Sequence, residues 1–247
     1  MIEKGPSISR IAGRRWECCL GVFAALLLSI GCRPVDLPSD GPSSSRIETA
    51  EADRYPAHWW EPVPETEKAW WEILPQAAGP GEVILSKRNE LGLLSNFAAT
   101  PFTFRGERYA SLEGLWQSMK YPEGPDDPRA SHPAVTWEHA REEVMIMVAF
   151  DAKEAGDKAE KNMAAMGINW VTFEGERIRH RGENQDRHYG IIEAATRAKV
   201  SQNPEVEKVL IATGDLILRP DHLTDENAPP AWRYYDIYMK IRAERTR

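Results

Sequence analysis

The chain has 247 residues, of which 42% are hydrophobic and 28% charged. This composition suits one folded domain with extra segments and excludes a disordered chain or a polytopic membrane protein. The formal net charge of -7 offers no long-range attraction for phosphates, so we expect no binding to a nucleic acid backbone, although a local basic pocket remains compatible with it.

Residues 1–32 have the pattern of a signal peptide. A basic start is followed by an uncharged run from Cys18 to Cys32, which is shorter than the roughly 20 residues that span a bilayer. Leu28 to Cys32 (LSIGC) resembles a bacterial lipobox, which implies lipidation of Cys32. We therefore expect an extracytoplasmic protein of the cell envelope, attached to a bacterial membrane by a lipid anchor. An uncleaved apolar anchor is the alternative.

All three cysteines lie in this leader, so the rest of the chain is expected to contain no disulfide. Residues 33–53, rich in Pro, Ser and Asp, are predicted to form a flexible tether. Residues 54–81 form a Trp-rich N-terminal arm that contains Trp59, Trp60, Trp70 and Trp71. Two interpretations stay open for it: an aromatic binding strip, or an arm packed on the following domain.

Residues 82–247 are predicted to form a mainly helical α+β domain with few strands. Short apolar runs predict strands at 83–85 and 102–104, the second followed by a turn at Arg105-Gly106. The apolar spacing predicts helices over 111–121, 137–150, 152–166, 186–201, 204–211 and 232–245. Ser111 and Gly167 are suitable as helix caps.

Several common sites have no motif in this sequence. It contains no glycine-rich dinucleotide or P-loop signature and no H-E-x-x-H pair. We therefore expect no cofactor and no metal site. Any hydrolytic chemistry is expected to depend on carboxylates.

Three polar residues in the helix predicted over 111–121 carry the functional hypothesis. Glu113, Gln117 and Lys120 stand at i, i+4 and i+7, so they project from one face while the apolar residues occupy another. A carboxylate, an amide and an ammonium group on one face can bind and activate a polar ligand. A solvated helix face with the same spacing is the alternative interpretation.

Several segments, in chain order, resemble the NADAR (YbiA-like) family. Residues 95–97 (SNF), the hairpin and then residues 111–120 (SLEGLWQSMK) resemble that family's S-N-F and S-x-E-H-x-x-Q-x-x-K. Asn169-Trp170 resembles its D-W, and Lys199 lies in a segment similar to its K-F-x-Q-N-P. The resemblance spans residues 85–242.

The resemblance implies a YbiA-like α+β fold with helices around a small sheet, and hydrolysis of an N-glycosidic bond in a small nucleotide-like substrate, of the riboflavin-precursor or ADP-ribosyl type. Glu113 is then the key carboxylate, because such cleavage builds positive charge on the sugar. The residues predicted to bind or assist are Asn96, Gln117, Lys120, Trp170, Lys199, Trp232 and, as a second catalytic carboxylate, Asp225.

Some positions depart from the family pattern. Gly114 stands where the family has histidine, and no Trp-Gly follows Asp225, so the late part of the site is either rebuilt with Asp221, Asp225 and Trp232 or lost. The segment 173–188, which carries four arginines, is predicted to be an insertion, either a phosphate clamp or a solvated loop. A catalytically impaired nucleotide-sugar-binding lipoprotein and an envelope interaction protein are the alternative functions.

Overall fold

The computed structural model describes residues 54–182, 185–225 and 227–246. The predicted leader, tether and lipidated Cys32 lie outside these residues. Within the described ranges, no helix is both long and apolar enough to cross a bilayer.

The structure has an α+β fold in which six helices surround three two-stranded sheets. The helices are α1 (Leu112–Ser118), α2 (Arg141–Met145), α3 (Ala149–Ala165), α4 (Gln185–Gln202), α5 (Pro204–Ala212) and α6 (Tyr234–Arg245). The strands are β1 (Glu82–Ile84), β2 (Phe102–Phe104), β3 (Glu107–Tyr109), β4 (Trp170–Phe173), β5 (Glu176–Arg179) and β6 (Ile217–Arg219). Short 3-10 turns occupy Ala57–Trp60, Glu65–Glu67, Pro75–Ala77, Glu90–Leu94 and Pro230–Trp232. The predicted mainly helical α+β class is confirmed.

The two hairpins share one turn chemistry. β2 pairs antiparallel with β3, and β4 pairs antiparallel with β5. Each hairpin turns through a non-glycine residue and a glycine that both have positive φ: Arg105-Gly106 and Glu174-Gly175. Positive φ at both central positions matches the right-handed twist of the strands. The first hairpin was predicted. The segment 173–188 was predicted to be a charged insertion, but its first part contains β5, which pairs with β4.

The helix predicted over residues 137–150 is wrong in its extent. In this range Arg141–Met145 forms one short helix, and α3 begins at Ala149 after a break of three residues. The break leaves the carbonyl of Met145 free to accept a hydrogen bond from the Ala110 amide, at 3.0 Å. The carbonyl of Met147 accepts one from the Ser111 hydroxyl, at 2.9 Å. These tertiary hydrogen bonds to the start of α1 replace the helical ones.

The start of α1 matches its prediction. Ser111 is the N-cap, with its hydroxyl oxygen accepting from the Gly114 amide at 2.9 Å. Leu112, Leu115 and Met119 are buried in the main core. The helix ends at Ser118, three residues earlier than predicted, and Lys120 lies in the turn that follows.

The Trp-rich arm is joined to the domain at its first half. Trp59 is 1% exposed and belongs to the main core, and its indole NH donates to the Glu90 carboxylate at 2.7 Å. The Trp60 indole NH donates to the Glu82 carbonyl at 2.9 Å. This half of the arm is therefore part of the hydrophobic core.

Candidate active site

A cavity of about 690 Å³ opens beside α1, within the size range of small-molecule sites. Its polar wall comes from the loop before the first hairpin, from α1 and the turn after it, from α4 and from the chain at the start of α6. Its aromatic rim comes from the arm, from the loop before the first hairpin and from the start of α3. The side chains on the polar wall are Asn96, Glu113, Gln117, Lys120, His188, Trp232 and Tyr234. Four side chains form what we call the aromatic rim of the cavity: Trp70, Trp71, Phe97 and Phe150.

Glu113 and Gln117 form a buried pair on this wall. Only 6% of Glu113 is exposed, and the Gln117 amide donates to its carboxylate over 2.7 Å. Burial raises the pKa of the Glu113 carboxyl; the Gln117 hydrogen bond and the charge of Lys120 oppose that rise. The solvated-face interpretation of this helix is therefore wrong, because a solvated glutamate would be neither buried nor shifted.

A glycine makes room for this pair. A Cβ built on Gly156 of α3 would lie 1.7 Å from the side-chain oxygen of Gln117, well inside van der Waals contact. Any other residue at position 156 would displace the Gln117 amide. The position of the amide beside Glu113 thus depends on the close approach of α1 and α3.

Lys120 is buried and paired. Its ammonium donates to the Glu160 carboxylate at 2.5 Å and stands 5.0 Å from the ring centre of Trp116. Burial lowers the pKa of Lys120, and the Glu160 hydrogen bond opposes this shift. The Glu160 side chain is 54% exposed, so it can leave Lys120 and yield to an anionic group of a ligand.

Several buried polar atoms on the wall have no hydrogen-bond partner among the described residues. They are Asn96 Oδ1, Gln117 Oε1, Trp232 Nε1, the Tyr234 hydroxyl and both ring nitrogens of His188. Burying a polar group without a partner costs free energy. A cluster of such atoms around one cavity is typical of a site that a polar ligand or water completes.

His188 is a site residue that the sequence analysis missed. It is buried against the Trp116 ring, with ring centres 4.6 Å apart. Burial lowers its pKa to about 3, so the ring is neutral near pH 7 and holds one donor and one acceptor nitrogen. Its signal in the sequence is helical spacing with Ile191, Ile192 and Ala195, which places it on the buried face of α4.

The two halves of the Trp-rich arm have different surroundings. Trp59 and Trp60 pack on the domain, whereas Trp70 and Trp71 line the cavity. In the rim, the rings of Trp71 and Phe150 lie 5.8 Å apart and those of Phe97 and Phe150 lie 5.3 Å apart. Lys87 stands 4.9 Å above the Trp71 ring.

Of the residues predicted for the site, the structure brings Asn96, Glu113, Gln117, Lys120 and Trp232 together at the cavity. It does not bring Trp170, Lys199 or Asp225 there. Trp170 begins β4, where its ring lies between the guanidinium groups of Arg129 and Arg177, at 4.9 and 4.5 Å. It borders a second, smaller cavity, so its predicted stacking on a base at the main cavity is corrected.

Lys199 has a positioning role in place of the predicted contact with substrate. It is fully buried, and its ammonium donates to the Ser95 carbonyl at 2.9 Å. Burial lowers its pKa to about 7. Asn96, which follows Ser95, accepts a hydrogen bond at its backbone carbonyl from the Glu113 amide, at 3.0 Å. Lys199 therefore holds the loop that presents Asn96.

Asp225 is exposed, and its carboxylate accepts the Asn227 amide at 2.9 Å. The buried carboxylate in that region is Asp221, which pairs with Lys87 at 2.5 Å and with His222 at 3.0 Å. Lys87 and His222 line the cavity, so Asp221 supports it from behind.

The four arginines of the segment 173–188 do not form a clamp on the main cavity. None of Arg177, Arg179, Arg181 and Arg187 is in the lining, and Arg177 borders the smaller cavity. Arg181 stands 4.4 Å from the Trp232 ring centre, and Arg187 pairs with Glu176. Among the described residues, no three His, Asp or Glu side chains are grouped to bind a metal ion.

Comparison with known proteins gives little further guidance. No family model and no curated protein matches the chain. Among solved structures, the chain is similar to the NMR structure of the E. coli protein YbiA, with 18% identity and a TM-score of 0.43 over 74% of this chain and 94% of that one. A likeness of this size assigns neither fold nor activity to the chain.

Proposed function

We propose that this protein hydrolyses an N-glycosidic bond in a small nucleotide-like substrate, of the riboflavin-precursor or ADP-ribosyl type. The observation that carries the proposal is the buried Glu113 carboxylate on the wall of the cavity, with Gln117 and Lys120 beside it. The resemblance of residues 111–120 to the NADAR pattern supports the choice of bond.

The chemistry follows from charge. As the bond between C1′ and the base nitrogen breaks, its electron pair leaves with the base and the sugar ring becomes cationic. A carboxylate beside C1′ stabilises that cation in a site with little water. Water then adds to C1′, and its proton passes first to Glu113 and then to the nitrogen of the departing base, which regenerates the carboxylate. The raised pKa of Glu113 makes its carboxylate a stronger base for this step.

The neighbours of Glu113 supply binding groups. In the proposal, the free oxygens of Asn96 and Gln117 accept from sugar hydroxyls, while His188 and the Trp232 indole NH bind other polar atoms of the ligand. Lys120 exchanges the exposed Glu160 carboxylate for an anionic group, such as a phosphate. A ligand without polar groups would leave these buried atoms without hydrogen bonds, which costs free energy. The site therefore selects for polar ligands.

Substitution of Glu113 tests the catalytic role. Wild-type protein is incubated with ribosylated aminopyrimidines and ADP-ribosylated guanine, and base release is followed by chromatography. We expect Glu113→Gln to lower the rate by about 10²-fold or more while calorimetry shows unchanged affinity, because the amide keeps the shape and removes the charge. Glu154→Gln is the matched control: that side chain is 72% exposed, lies on α3 and is outside the cavity lining.

A binding function without catalysis is the second candidate. It is favoured by the exposed position of Asp225, which leaves the cavity without the second catalytic carboxylate that was predicted. In that case the same compounds bind with a calorimetric signal and none of them is cleaved. Equal rates of base release for wild type and Glu113→Gln would show that Glu113 has no catalytic role.

A further inference from the structure

Trp70 is the most exposed large apolar side chain of the described residues, at 95%, and it borders the main cavity. A single exposed apolar residue is ordinary on a protein surface. Trp70 differs because it continues the aromatic rim at the mouth of a cavity, where an exposed apolar area marks a contact surface.

The backbone under Trp70 is held firmly. The Glu72 amide donates to the Ala69 carbonyl at 3.0 Å and the Ile73 amide donates to the Asp221 carbonyl at 2.6 Å. The buried Glu72 carboxylate accepts two hydrogen bonds from Arg88, at 2.6 and 2.8 Å. The exposed indole is therefore presented on a fixed turn, which lowers the entropy cost of binding to it.

The ring of Trp70 has no internal partner. The other rings of the rim are engaged, since Trp71 contacts Phe150 and Lys87, and Phe150 contacts Phe97. No ring or cation in the described ranges stacks on Trp70. An indole that is fixed at its backbone and free on its faces suits a flat ligand group.

We infer that Trp70 stacks on the planar heterocycle of the ligand, so that the arm supplies the base-binding half of the site and the wall around Glu113 supplies the sugar-binding half. The inference rests on the proposed function for the nature of the ligand. Trp70 is then a specificity residue for compounds in which a planar base is attached to the sugar.

Calorimetric titrations with paired ligands test this inference. AMP, GMP and CMP carry a base, whereas ribose 5-phosphate is the same sugar phosphate without one. We expect Trp70→Ala to weaken binding of the nucleotides about tenfold, within the range of base stacking on aromatic side chains, and to leave ribose 5-phosphate unchanged. Trp70→Phe should retain most of the affinity. Leu223→Ala is the control, because Leu223 is 87% exposed and outside the lining.

The outcomes separate this inference from the proposed function. Equal effects of Trp70→Ala on nucleotides and ribose 5-phosphate, or no effect on either, would overturn the stacking role, as would nucleotides that fail to bind the wild type. Base release that is independent of Trp70 would overturn this inference alone. Nucleotide binding that depends on Trp70, without cleavage of any compound of the substrate panel, would overturn the proposed activity alone.

Discussion

At the scale of single residues, burial of Glu113 supports its proposed role in catalysis but lowers the stability of the fold. Burial disfavours the charged form of the carboxyl and raises its pKa, and the Gln117 hydrogen bond and the nearby charges of Lys120 and Lys153 only partly offset this rise. A group with a folded-state pKa above its unfolded value stabilises the fold most at low pH, and that contribution is lost as the pH rises through the folded-state pKa. The carboxylate therefore destabilises the native state at neutral pH.

Replacing Glu113 should accordingly stabilise the protein while it removes activity. We expect Glu113→Gln to raise the free energy of unfolding by about 1 kcal/mol or more at about pH 7.5 and to change it little near pH 4, where the wild-type group is protonated in the native state. Urea denaturation at the two pH values measures this, with Glu154→Gln as the control. A variant less stable than wild type at neutral pH would mean that the Gln117 hydrogen bond and the nearby positive charges outweigh the cost of burial.

The sequence alone indicates some site residues and not others. Glu113 and Gln117 were indicated by helical spacing within one short helix, a local pattern, together with the resemblance of that segment to the NADAR pattern. Trp70 and His188 reach the same cavity from the arm and from α4, and no local pattern joins them. Trp170, Lys199 and Asp225 were placed by family resemblance, and their own contacts with Arg129, Ser95 and Asn227 hold them elsewhere.

At the scale of elements, Gly114 fits α1 to the chain that precedes α3. A Cβ on Gly114 would lie 2.7 to 3.0 Å from the carbonyl oxygens of Met147, Met145 and Val144. These backbone atoms cannot move without breaking the hydrogen bonds at the start of α1. Close packing at this position thus requires glycine.

Two helical glycines make a matched pair. We expect Gly114→Ala to destabilise the protein by about 1–3 kcal/mol, because the backbone must shift. Gly190→Ala should stabilise it by about 0.5–1 kcal/mol, because that exposed helical site has no atom near its Cβ. Chemical denaturation of both variants measures the difference. Similar changes in the free energy of unfolding of both variants would show that a side chain at position 114 fits beside the carbonyls of residues 144–147.

Element prediction failed where tertiary contacts override local preference. The apolar periodicity of 137–150 favours a helix, but the carbonyls of Met145 and Met147 accept hydrogen bonds from Ala110 and Ser111. Pro204, whose effect is local, was placed correctly as the first residue of α5. Gly167 was expected as the cap of α3, but the C-cap is Met166 and Gly167 follows it with positive φ.

At the scale of the whole molecule, the Trp-rich arm belongs to the domain. Tyr55 stacks on Trp59, its hydroxyl hydrogen-bonds to Asp215, and both rings lie in the main core. The arm also carries Trp70 to the cavity. An envelope interaction protein that docks through a separable arm is therefore disfavoured, because the same segment completes the fold.

Two tryptophans of the arm should respond differently to truncation. Trp59→Ala removes a fully buried ring and is expected to cost about 3–5 kcal/mol of stability. Trp70→Ala removes an exposed ring and should change stability by no more than about 0.5 kcal/mol. Urea denaturation followed by far-UV circular dichroism measures both. A cost below about 1 kcal/mol for Trp59→Ala would mean that the arm is not part of the core.

The structure of the Glu113→Gln variant bound to a ribosylated base tests the central claim most directly. We expect the anomeric carbon of the sugar to lie about 3–3.5 Å from the side chain at position 113, the distance of reacting groups in a productive complex, with the base on Trp70. A sugar bound elsewhere, with its anomeric carbon facing no carboxylate of the cavity, would contradict the account.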